Sequence, residues 1–89
     1  MNRLGKPIKV LVVEDSAVVR ELLSHILDSD PDIQVIGAAA TGEEAVKAAA
    51  RTRPDLITMD VNMPGINGYE ATRQIKETCP APIIIVSAG

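Results

Sequence analysis

Two places in this 89-residue chain concentrate groups able to do chemistry. One is the pair Glu14-Asp15, directly after an apolar run, and the other is Asp60, at the end of a second run. Three carboxylates gathered in a low-dielectric cleft repel one another unless protons or a cation compensate. Hard oxygen ligands with room for water suit Mg2+, so the pattern predicts a divalent-cation pocket. An aspartate can also attack a phosphoryl group to give an acyl phosphate while a metal ion neutralises the developing charge. Asp60 is the candidate nucleophile. The loop after it, Asn62-Met63-Pro64-Gly65-Ile66-Asn67-Gly68, holds a proline and two glycines, which fix a turn and allow close backbone approach. Ser87, at the end of the last apolar run, offers a hydroxyl that can bond a phosphoryl oxygen.

These groups meet only if the elements carrying them are neighbours. Ile8-Lys9-Val10-Leu11-Val12-Val13 is β-branched and almost continuously apolar, as a strand covered on both faces is. Val18, Val19, Leu22, Leu23, Ile26 and Leu27 then recur at helical spacing, with Ser16 as N-cap and Pro31 beyond the stop. Ile33 to Ala39 reads as a second strand, less apolar and therefore placed at an edge. Thr41 with Glu44 makes a capping box ahead of an Ala-rich helix through about Arg51. Leu56 to Val61 is a third strand, Asn67-Gly68 opens a helix through about Thr78, and Pro82 to Val86 is a fourth strand.

The order βαβαβαβ requires a parallel sheet with helices on both faces, an α/β fold in one domain. Ligands of such sheets bind beyond the carboxyl ends of the strands, where the strand order reverses. Adjacency of the first and third strands would therefore bring Glu14, Asp15 and Asp60 to one edge.

Composition narrows the function. The chain is 46% hydrophobic and 24% charged, an ordinary globular balance that excludes disordered and low-complexity classes. Its formal charge of -3 and lack of a Lys/Arg run remove the footprint of a nucleic-acid or anionic-membrane binder. No apolar stretch reaches the roughly 18–20 residues that span a bilayer. The single cysteine, Cys79, forms no internal disulfide, and the expected setting is a reducing cytoplasm. Cys79 reads as a small buried hydrophobe, His25 as an ordinary surface or partly packed residue, and Tyr69 as a packing residue.

Together these residues resemble the receiver domains of two-component response regulators. The likeness is carried by Glu14-Asp15-Ser16, Asp60, the Met63-Pro64-Gly65 turn with Asn67-Gly68, and Val86-Ser87-Ala88. More narrowly, Val12 to Arg20, Asp32 to Gly37 and Ala81 to Ser87 are similar to the receivers of chemotaxis protein-glutamate methylesterases. The resemblance implies a flavodoxin-like parallel sheet of strand order 2-1-3-4. It implies that Asp60 takes a phosphoryl group from a chemotaxis-type sensor histidine kinase. Asp15, Asp60 and the Asn62 backbone carbonyl would be direct Mg2+ ligands, Glu14 would act mainly through metal-bound water, and Ser87 would be the switch hydroxyl.

A receiver of usual size, about 120 residues, continues for roughly another thirty through a helix, a fifth strand ending in a lysine and a last helix. Residues 1–89 are on this expectation one receiver domain incomplete at its C-terminus, without the methylesterase domain and so not an enzyme. The fourth strand would then present an unpaired edge with Ile83, Ile84 and Ile85, and self-association through it is expected. The alternative is a non-phosphorylating interaction or oligomerisation fragment. Two enzyme and ligand classes fit less well. Asp60-Val61-Asn62 has Asn where an Asp-x-Asp phosphatase needs its general acid, and Glu-Asp-Ser replaces the Gly-rich loop of a nucleotide site.

Overall fold

The structure, a computed structural model, describes residues 5–63 and 65–86. Seven elements alternate: β1 (Ile8–Val13), α1 (Ala17–Asp28), β2 (Ile33–Ala39), α2 (Gly42–Thr52), β3 (Leu56–Met59), α3 (Gly68–Thr78) and β4 (Ile83–Ile85). The strands form one parallel sheet in the order β2-β1-β3-β4. This is the flavodoxin-like receiver arrangement expected from the resemblance, with β2 at an edge as its weaker apolar character predicts. Since β2 lies on one side of β1 and β3 on the other, the chain reverses its direction of travel across the sheet at β1. The crevice between β1 and β3 is the switch point.

Local chemistry sets the helix starts. Ser16 Oγ accepts the Val19 amide at 3.3 Å, and Asn67 Oδ1 accepts that of Glu70 at 2.9 Å. Thr41 Oγ1 accepts from Glu44 N at 3.1 Å, while the Glu44 carboxylate accepts from Ala40 N at 2.9 Å. The predicted capping box is thus present, with the return bond shifted one residue toward the N-terminus.

Side chains alternate across the pleat. Leu11, Val13, Ile57 and Met59 join Ala45, Ala48 and Ala49 of α2 and Ala71 and Ile75 of α3 in the core, with Cys79 buried beside them as a small hydrophobe. Right-handed crossovers place α1 on the opposite face, where it packs on β1 and β2. Its apolar stripe is only partly used: Leu23 and Leu27 are half-buried, whereas Val18, Leu22 and Ile26 are more than half exposed. Tyr69, expected to pack, is 68% exposed. Successive helical residues turn by about 100°, so Tyr69 lies roughly 200° from the buried Ala71 and points away from the sheet. His25 is exposed.

Two strands are shorter than their apolar runs. β3 ends at Met59 rather than Val61 because Asp60 Oδ1 takes the Asn62 amide at 3.1 Å, turning the chain out of the ladder. β4 spans three residues, bounded on its N-terminal side by Pro82, which has no amide to donate. Among the described residues, no helix is long and apolar enough to cross a membrane.

Candidate functional site

Glu14 and Asp60 sit one residue beyond the ends of paired strands. Val13 faces Met59 in the β1–β3 register. The next rung runs from the Asp60 amide to the Val13 carbonyl at 3.0 Å, and the Glu14 amide bonds the Ala39 carbonyl of β2 at 3.0 Å. Both acids are therefore tied to the sheet through their backbones, and Asp15 follows in the turn before α1.

One carboxylate oxygen from each of Glu14, Asp15 and Asp60 lies within 4.8 Å of the other two. The burial is graded: Asp60 is 7% exposed, Glu14 is half-buried and Asp15 is exposed. Partial burial, with the Asp60 charge and hydrogen bonding to Asp15 and Asp60, raises the Glu14 pKa above its ordinary value; the Ser16 amide, donating to Glu14 Oε1 at 3.2 Å, works against this. A raised carboxyl among like charges is the electrostatic mark of a site short of positive charge.

The donor set fits a hard dication. Oxygens on opposite sides of an octahedral Mg2+ stand about 4.2 Å apart, at roughly 2.1 Å from the ion each. A trio with every oxygen within 4.8 Å of the others is on the scale of one such coordination shell. Asn62 is exposed beside Asp60, its amide already engaged by the Asp60 carboxylate. Ser87 lies outside the described residues. Val86, immediately before it, donates to the Met59 carbonyl at 2.8 Å, so the β4 ladder runs to the end of the sheet where Asp60 lies.

The glycines of the following loop have separate tasks. A Cβ on Gly68 would stand 2.5 Å from the Asp60 carbonyl oxygen and 2.6 Å from Val61 Cα. Gly68 thus lets α3 start against the backbone of Asp60 itself. Gly65 adopts φ +77, a left-handed conformation that glycine reaches without strain. Met63, 8% exposed, anchors the loop in the core. A contact with no sequence signal is that of Arg20, whose Nη1 donates to the Glu14 carbonyl at 2.9 Å. Nothing in residue type or spacing separates it from an ordinary helix-surface arginine.

Comparison with known proteins agrees with this geometry. The model of the response regulator receiver domain matches residues 10–89. The chain is 69% identical over 82 residues to the protein-glutamate methylesterase/protein-glutamine glutaminase 1 of Syntrophus aciditrophicus (strain SB), covering 92% of this chain and 23% of that protein. It thus spans about a quarter of that relative's length. Among solved structures, the response regulator domain of Thermotoga maritima CheB superposes with a TM-score of 0.91 at 48% identity, over 93% of this chain and 62% of that one. The CheX-CheY-BeF3-Mg+2 complex from Borrelia burgdorferi gives a TM-score of 0.85 at 32% identity, over 97% and 66% of the two chains. These relationships do not favour the alternative of a non-phosphorylating fragment. Strand order, the acids gathered at the switch point and relatives of this identity converge, and the chain belongs to the response regulator receiver domain family.

Proposed function

We propose that this chain is a phosphoacceptor of a chemotaxis-type two-component system, with Asp60 as the residue that is phosphorylated. The observation that carries this is the gathering of one buried carboxylate, Asp60, with two others at the switch point of the sheet. The Asp60 carboxylate oxygen attacks the phosphorus of a phosphohistidine on a sensor histidine kinase. The P–N bond breaks, the imidazole leaves with the electron pair and takes up a proton, and Asp60 carries an acyl phosphate.

Asp15, Asp60 and the Asn62 carbonyl would hold Mg2+ directly, and Glu14 through water. When bound, the ion supplies positive charge against the phosphoryl oxygens. The chain's own contribution is positioning. The rung to Val13 fixes the Asp60 backbone, Gly68 admits the start of α3 against it, and Ser87 is assigned the switch hydroxyl that bonds the phosphoryl group. No hydrolytic role is assigned to residues 1–89, and esterase chemistry is left to the longer relatives. The cytoplasm is the proposed setting, where a lone cysteine stays reduced.

Self-association through β4 belongs to the same proposal. Among the described residues β4 pairs with β3 alone, and Ile84, Ile85 and Val86 are between 41% and 51% exposed. An apolar strand edge with free backbone groups templates pairing with a second copy.

Incubation with a small acyl phosphate and Mg2+, followed by intact mass measurement, tests the assignment. The parent chain gains one phosphoryl group and Asp60→Asn gains none. An adduct that persists in Asp60→Asn overturns the choice of nucleophile. Lack of any adduct on the parent overturns the phosphoacceptor function.

A further inference from the structure

Arg20 stands at the fourth position of α1, where its own amide bonds the Ser16 carbonyl at 2.8 Å. Helical side chains lean toward the N-terminus, and that of Arg20 reaches back over the first turn to donate from Nη1 to the Glu14 carbonyl at 2.9 Å, in a half-buried position. A cation near a helix N-terminus opposes the helix dipole, so α1 itself gains nothing from this placement. The gain falls on the peptide that Arg20 grips.

That peptide joins Glu14 to Asp15, two of the three clustered acids. The Glu14 amide is held by Ala39 and its carboxylate by the Ser16 amide. The carbonyl is the remaining polar group of Glu14, and fixing it sets the peptide plane from which Asp15 departs. Asp15 is exposed, so core packing does not choose the direction of its side chain; the preceding peptide does.

We infer that Arg20 is a positioning residue for the divalent-cation site: its guanidinium pins the Glu14–Asp15 peptide so that the Asp15 carboxylate stays turned toward Glu14 and Asp60. This rests on the cation site proposed above and adds to it a residue outside the ligand set. Groups that orient ligands in this way typically change metal affinity by 10–100-fold when removed. A single bond acting through the backbone belongs at the lower end of that range.

Calorimetric titration of the whole chain with MgCl2 tests it, on the parent, Arg20→Met, Arg20→Lys and, as a control on an exposed face of α2, Arg51→Met. Arg20→Met should bind Mg2+ about tenfold more weakly. Arg20→Lys, whose ammonium can still bond one carbonyl, should recover most of the loss, and Arg51→Met should match the parent. At saturating Mg2+ the phosphorylation rate of Arg20→Met should return to within about twofold of the parent, because the ligands and Asp60 are untouched. A role confined to helix stability would instead lower the melting temperature in EDTA and leave the affinity of the folded protein unchanged, overturning the inference. So would a rate that stays low at saturating Mg2+, which would put Arg20 on the phosphoryl group. Should Arg20→Met not fold, the shorter, uncharged Arg20→Gln takes its place with the same expected loss. A parent chain that binds no Mg2+ overturns the cation site itself, a failure separate from that of Arg20.

Discussion

The Asp60 amide donates to the Val13 carbonyl at 3.0 Å, one rung past the last paired residues of β3 and β1. That bond holds the backbone of the proposed phosphoacceptor level with the point where Glu14 leaves β1. It also separates two neighbouring amides: Asp60 N–H is locked into the sheet, whereas Asn62 N–H rests on a side-chain carboxylate. Ladder amides in a core open only in large fluctuations, while loop amides open locally. Hydrogen exchange of the metal-free chain should therefore show Asp60 among the slowest amides and Asn62 faster. Asp60→Ala should quicken Asn62 further, by removing its acceptor. Equal protection at the two positions would contradict this division.

A pH dependence follows from Glu14. Its carboxyl holds a proton to higher pH in the folded chain than in the unfolded one, chiefly through partial burial and then through the Asp60 charge. Between the ordinary carboxylate range and the raised folded value, the folded state carries more protons than the unfolded state. Stability of the metal-free chain therefore falls as pH rises through that window, and the loss is complete above it. Glu14→Gln should flatten this segment of the curve. Mg2+ should oppose it by binding the folded state, adding about 2.7 kcal/mol at a hundred times its dissociation constant. Urea titrations across pH, with EDTA or Mg2+, measure both effects.

Thr58, two residues before Asp60, is 8% exposed, and among the described residues its Oγ1 has no hydrogen-bond partner. Burying a hydroxyl without a partner costs roughly 1–3 kcal/mol by mutational measures. Valine has nearly the same shape and suits a central strand equally well. Thr58→Val should therefore raise unfolding free energy by about 1 kcal/mol, with Mg2+ affinity unchanged because the side chain at 58 is not among the clustered acids. A drop in stability would mean that the hydroxyl is satisfied in solution.

Much of this was legible in the sequence, for a definite reason. The alternation of strand and helix, with the right-handed crossover rule, fixes helix sides once the strand order is given, and the caps at Ser16, Thr41 and Asn67 are local patterns that need no tertiary information. Acids at the ends of two strands announce the site because the ends of neighbouring parallel strands must meet. The long-range particulars were hidden. The early end of β3 depends on the Asp60 side chain capturing the Asn62 amide. The exposure of Val18, Leu22 and Ile26 depends on what covers that face, which helical periodicity does not encode. The bond from Arg20 to Glu14 requires knowing how α1 leaves β1.

Gly68 and Thr41 separate site geometry from general stability. An alanine methyl at position 68 would fall 2.5 Å from the Asp60 carbonyl oxygen, a backbone atom that cannot swing away. Relief requires α3 or the strand end to move. Gly68→Ala should cost roughly 1–3 kcal/mol, the usual range for overpacking, and should also slow phosphorylation of Asp60. Thr41→Ala removes only the cap of α2, at about 1 kcal/mol, and should leave phosphorylation at the parent rate below its melting transition. Parallel urea melts and phosphorylation time courses distinguish the two. If both variants slow the reaction in proportion to lost stability, the close approach at Gly68 has no specific bearing on the site.

The β4 edge makes the last prediction. Ile84 pairs in register with Thr58 and is 51% exposed, on the face opposite the α2–α3 core. Lysine at an edge strand blocks pairing with another chain because its charge would be buried in the new sheet, yet its stem can still lie along apolar surface. Ile84→Lys should therefore be tolerated in the fold and should shift self-association to higher protein concentration. Sedimentation velocity over a dilution series tests this: the parent should show a sedimentation coefficient that rises with concentration, and Ile84→Lys a smaller rise. A parent chain that sediments as a single folded monomer throughout would mean that this edge is closed in solution, and the proposed pairing of two copies would fail.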